Sequence, residues 1–116
     1  IKADVFTDDG WMPLDLQLKT PGFLIFVYSF LMCQHTYFRA NSNESRLRLE
    51  RSRLNLALSA GDNWRIEQIA VEVKGTLRSG TVDTDTVDYI KSRMRQCPVS
   101  INLLEPEEYR IEVDFH

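Results

Sequence analysis

The chain has 116 residues, 43% of them hydrophobic and 27% charged, which suits one soluble globular domain and leaves little room for two. Its net charge of -3 excludes broad, sequence-independent nucleic-acid binding, which needs an excess of Lys and Arg to neutralise phosphates. The longest apolar run, Phe23 to Met32, falls short of the about 20 residues that span a bilayer, and 2 cysteines with 2 histidines exclude a disulfide scaffold and a zinc site.

The first residues, Ile-Lys-Ala-Asp, contain no apolar core of a signal peptide. They also lack Met, so residues upstream are expected. A cytoplasmic protein follows, with neither membrane nor nucleic acid as partner. Arg46, Arg48, Arg51 and Arg53 are interrupted by Glu50 and preceded by Glu44, which reads as a solvated strand face.

Residues 1–19 predict an opening β-hairpin. Asp8-Asp9-Gly10 is the turn signal, and Leu14, Leu16 and Leu18 alternate with polar residues. Thr20 and Pro21 supply helix-start chemistry, and a helix is predicted from Phe23 to about Ala40, with Asn41-Ser42-Asn43 ending it. The first half of this helix is apolar on every face, so every face needs covering. One small sheet cannot do that, which points to a partner subunit.

A long two-stranded ribbon follows, over residues 47–58 and 64–77. Leu49 and Leu54 are out of phase, which places a bulge near Ser52. Ala60-Gly61-Asp62-Asn63 forms the turn, and Ile69, Val71 and Val73 mark the returning strand. Val87, Ile90 and Met94 recur at helical spacing, with acidic residues early and basic residues late. Cys97-Pro98 breaks this helix, a short one runs to Leu104, Pro106 closes it, and Tyr109, Ile111, Val113 and Phe115 form a last strand. Mixed helices and hairpins make an α+β fold with largely antiparallel sheet, in one domain over residues 1–116.

The two cysteines are the candidates for chemistry. Cys33 lies inside the apolar helix and shares a face with Phe26, Ser29, Phe30, Thr36, Tyr37 and Ala40. That surface suits a greasy ligand with one polar end, and equally a small buried hydrophobe. Cys97 precedes a helix start, where orphan N–H groups stabilise a thiolate, and Ser100 lies within hydrogen-bond reach. An idle cap cysteine fits the same position. His35 sits about 200° around the helix from Cys33, so it cannot serve that thiol within one chain. Ser29 and Ser100 lack the His and Asp of a hydrolase, Tyr28 and Tyr37 read as core aromatics, and Trp11 and Trp64 as packing residues beside turns.

Cys97-Pro98-Val99-Ser100, followed by Asn102-Leu103-Leu104, resembles the CPVS signature of the OsmC/Ohr family. That family has a first cysteine in a buried central helix, and Cys33 stands 64 positions before Cys97 with the family's order of elements between them. The resemblance covers roughly residues 12–115. It implies mostly antiparallel sheets wrapped around a buried central helix in an intertwined homodimer, with a site at the subunit interface. It further implies thiol-dependent reduction of a small hydrophobic hydroperoxide, in which Cys33 is oxidised and Cys97 resolves it as a disulfide that a dithiol reductant opens. Phe26, Phe30, Tyr37 and Ser100 would line the substrate pocket. No cofactor and no metal are implied.

The chain departs from the family's peroxidases in three places. Thr20-Pro21-Gly22 stands where they carry Asn-Pro-Glu, no Arg precedes Arg39, and Phe30, Leu31 and Met32 replace small residues before the first cysteine. Without that Glu and Arg, a buried Cys33 should hold its proton. A non-catalytic dimer that binds an apolar ligand or senses redox state is therefore the alternative.

Overall fold

The computed structural model describes residues 3–15, 21–103 and 108–116. Leu16, Leu18, Thr20, Leu104 and Pro106, all used in the sequence reading, lie outside these. The described chain is α+β, with two sheets and three α-helices.

The opening hairpin consists of β1 (Asp4–Thr7) and β2 (Gly10–Pro13), with Thr7 opposite Gly10. Gly10 has φ of 94°, a conformation that favours glycine at this tight turn. The hairpin forms a sheet of its own. Its aromatic pair, Phe6 and Trp11, meets edge to face at 5.4 Å, yet each residue is 68% exposed.

Helix α1 spans Gly22–Glu44. Pro21 precedes it in an extended conformation and lends its carbonyl to the N–H groups of Leu24 and Ile25. The helix outlasts its expected end, because packing overrides the weak helix preference of Asn41-Ser42-Asn43. Asn41 and Ser42 are buried; the Asn41 amide donates to the Tyr37 carbonyl at 2.7 Å and its oxygen accepts from Arg93 at 3.4 Å. Within one chain α1 is buried along a single stripe: Phe30, Gln34, Phe38, Asn41 and Ser42. Ile25, Thr36, Arg39 and Ala40 face outward. The expectation of cover on all sides is not met by the chain alone.

Strands β3 (Arg48–Ala60) and β4 (Ile66–Ser79) make the long antiparallel ribbon. The expected bulge near Ser52 falls at Glu50, between the pairs Leu49–Leu77 and Arg51–Thr76. One extra residue there returns Ser52, Leu54, Leu56 and Leu58 to the half-buried face. A single 3-10 turn, Asp62–Trp64, joins the strands. Trp64 at this tip packs 5.1 Å from Phe23 of α1 but is 71% exposed, so the two tryptophans sit beside turns without being buried there.

Helix α2 (Thr84–Arg95) is capped by Asp83, whose carboxylate accepts from the Thr86 N–H at 2.7 Å. Helix α3 (Pro98–Ile101) follows and is shorter than expected. Strand β5 (Glu108–Phe115) then pairs with β4 in parallel, Val71 opposite Ile111 and Val73 opposite Val113. The sheet is thus mixed, in the order β3-β4-β5, where hairpins alone suggested antiparallel pairing. The α2–α3 segment is the crossover that parallel neighbours require.

The core lies between this sheet and the two long helices. Phe30 and Phe38 from α1, Ile69, Val71 and Val73 from β4, Ile90 and Met94 from α2, and Ile111 from β5 are buried. Each such side chain contributes about 1.5–3 kcal/mol on burial. Gly75 lets α1 approach β4: a Cβ there would lie 2.9 Å from Leu49 Cδ2 and 3.0 Å from Phe38 Cζ. No described helix is long and apolar enough to cross a membrane.

Candidate functional site

Cys97 caps α3. Its backbone is extended (φ -61°, ψ 146°), as the following Pro98 demands, and its sulfur accepts the Ser100 N–H at 3.3 Å. The residue is fully buried, because α1 and α2 close over it. Cys33 lies midway along α1 and is half-buried. The packing of α1 on α3 brings the two thiols near each other.

The Cys33 thiol is pushed up to about 11. Burial is the main cause, and the hydrogen bond to Cys97 adds to it by favouring the protonated form. The Val99 and Ser100 N–H groups work in the opposite direction but do not prevail. At neutral pH the Cys33 thiolate is therefore scarce, on the order of one part in ten thousand. The missing Glu and Arg pointed the same way.

Gln34, which the sequence reading passed over, is the third member of the cluster. It is fully buried, and its Nε2 donates to the Met94 carbonyl at 2.8 Å and to the Cys97 sulfur at 3.2 Å. Its Oε1 is buried without a partner among the described residues. A polar residue beside Cys33, just past the apolar run Phe23 to Met32, was the available signal. Tyr109 was also missed as a site residue, having been read only as a core position of the last strand. Its hydroxyl meets Ser100 Oγ at 2.7 Å, and the Arg95 guanidinium lies 5.0 Å over its ring while donating to its carbonyl at 3.1 Å. Burial raises the Tyr109 phenol, and the hydrogen bond from Ser100 opposes that.

Of the four expected pocket residues, Phe30 and Ser100 come together beside the cysteines. Phe30 is buried 6.1 Å from the Tyr109 ring, and Ser100 bonds both Tyr109 and Cys97. Phe26 instead packs 6.3 Å from Phe23, and Tyr37 lies half-buried against the core. His35 turns away from the thiols and meets Ser52 at 2.7 Å; burial and the nearby Arg39 charge lower its pKa. A surface concavity of about 540 Å3 lies on that side, lined by His35, Arg39, Arg48 and Arg78 among others.

No protein-family model matches the chain, and no curated protein matches it in sequence. Solved structures do. An OsmC-like protein from Mycoplasma pneumoniae is 12% identical, with a TM-score of 0.62 over 100% of this chain and 94% of that one. An OsmC-like protein of unknown function from Vibrio cholerae is 12% identical, with a TM-score of 0.59 over 97% of this chain and 83% of that one. A hypothetical protein from Aquifex aeolicus gives 12% and 0.63 over 95% and 85%. Likeness this complete at such low identity speaks for architecture: the chain has the α+β fold of OsmC-like proteins.

Proposed function

We propose that the chain is a divergent OsmC/Ohr-type redox protein that reduces a small hydrophobic hydroperoxide through Cys33 and Cys97. The observation that carries this is the nearness of two thiols 64 positions apart, in the fold where the family keeps its redox pair. Cys33 sulfur attacks the terminal peroxide oxygen, the O–O bond breaks, and the alcohol leaves. Cys97 sulfur then attacks the Cys33 sulfenic acid, the S–O bond breaks, water leaves and a disulfide remains. A dithiol reductant returns both thiols. A reducing cytoplasm fits this cycle.

The working unit in this reading is an intertwined homodimer. Supporting it are the uncovered Phe6, Trp11 and Met12 of the hairpin and Ile25 of α1, apolar surface that a second copy would cover. Phe26 and Tyr37, which share a helix face with Cys33, would then line a pocket completed by the partner.

The high Cys33 pKa favours a second reading, a dimer that binds an apolar ligand or senses oxidants slowly. Turnover of cumene hydroperoxide with a dithiol separates the two. Wild type should turn over, Cys33→Ser should be inactive, and Cys97→Ser should stall after one oxidation. Absence of turnover in wild type, with both thiols still titratable after peroxide, would establish the second reading.

A further inference from the structure

We propose that Gln34 holds the negative charge of the reduced pair on Cys97, which serves first as base and then as resolving nucleophile for Cys33. The chemistry rests on the peroxide-reducing reading above; the placement of charge rests on geometry alone. A fully buried amide is costly unless its groups are bonded, yet Gln34 leaves Oε1 unpartnered among the described residues. Its orientation is fixed by the Met94 carbonyl, since rotating the amide would set two oxygens face to face at 2.8 Å. The other N–H is thereby directed at the Cys97 sulfur. A neutral thiol is a weak acceptor, whereas an N–H bond to a thiolate is charge-assisted.

A further donor converges on the same atom, the Ser100 N–H at 3.3 Å. The titratable and charged groups facing the pair are Tyr109 from β5, whose phenol burial keeps neutral, and Arg95 at the end of α2, already engaged with the Tyr109 ring and carbonyl.

The cycle balances on this basis. The Cys33 proton passes to the Cys97 thiolate as the Cys33 sulfur attacks the hydroperoxide. The departing alkoxide takes that proton back and leaves as the alcohol. Cys97, again a thiolate, displaces hydroxide from the Cys33 sulfenic acid, and solvent protonates the hydroxide. This arrangement supplies a base where the family's Arg and Glu are lacking.

Ultraviolet titration of the thiolate in Cys33→Ser and in Cys97→Ser tests the charge placement. Cys97 should ionise at lower pH than Cys33; equal or reversed midpoints would overturn the proposal, whether or not any Gln34 variant folds. Adding Gln34→Met to Cys33→Ser should raise the Cys97 midpoint by about one pH unit, a tenfold change. A merely structural Gln34 would lower thermal stability and leave the midpoint where it was, which would also sink the idea. With both cysteines present, Gln34→Met should slow disulfide closure after cumene hydroperoxide by about tenfold. Wild type without turnover but with the expected midpoints would remove the peroxidase reading and leave the charge placement standing.

Discussion

The cysteine cluster and the opening hairpin sit at opposite extremes of satisfaction. Around Cys97, four elements of one chain meet, and nearly every polar atom has a partner within hydrogen-bond distance. In the hairpin, Phe6 and Trp11 have each other and little else. The first region needs no second chain to hold its shape; the second has apolar surface with no role in a lone chain. The dimer in the proposed function therefore rests on the hairpin and the outer face of α1, and the chemistry rests on the cysteine cluster. Each can be broken separately.

The largest effect is expected in the core beneath the cysteine-bearing helix. Phe38→Ala removes a fully buried ring stacked 5.4 Å from Phe115 and should cost about 3–5 kcal/mol in denaturant unfolding. A loss under 1 kcal/mol would mean that this packing is wrong. Next is the pH dependence of Cys33. An ordinary thiol near 9 and this one at about 11 differ by about a hundredfold in thiolate at neutral pH. In Cys97→Ala, which removes the sulfur bond but keeps the burial, alkylation of Cys33 should be slower than that of a free thiol and rise with pH beyond 9. A plateau near neutrality would contradict the burial described. Gly75→Ala should cost about 1–3 kcal/mol, because Phe38 and Leu49 must give way to the new Cβ. Tyr109→Phe deletes the 2.7 Å bond to Ser100 and should cost about 1 kcal/mol. At the open end, Phe6→Ser with Trp11→Ser should leave the unfolding of the sheet and helices almost unchanged and shift sedimentation toward a single chain. A large fall in stability of the isolated chain would show that the two regions are not independent.

How far the sequence carried differs between the two regions as well. Period-2 runs gave the ribbon, and the helical spacing of Val87, Ile90 and Met94 gave α2, because both patterns act over a few residues. The Cys-Pro step gave the break before α3 for the same reason. What failed was non-local. Asn41 and Ser42 stay helical because they are buried against α2, which residue preference cannot register. The parallel pairing of β5 follows from where the crossover returns, and alternation within a strand does not encode its neighbour's direction. The cysteine pair was legible through its resemblance, but Gln34 was not. An amide on an apolar helix becomes meaningful only once Met94 and Cys97 are known to face it.

The crossover that makes β5 parallel also puts the ribbon and α2 between the two cysteines along the chain. A bond between Cys33 and Cys97 would close a loop over most of the fold and withdraw entropy from the unfolded chain, worth about 4 kcal/mol. Oxidised protein should accordingly melt higher than reduced protein. The coupling is reciprocal: whatever tightens the fold also makes the bond harder for a reductant to open, so the cell's dithiol would contend with folding energy as well as with sulfur chemistry.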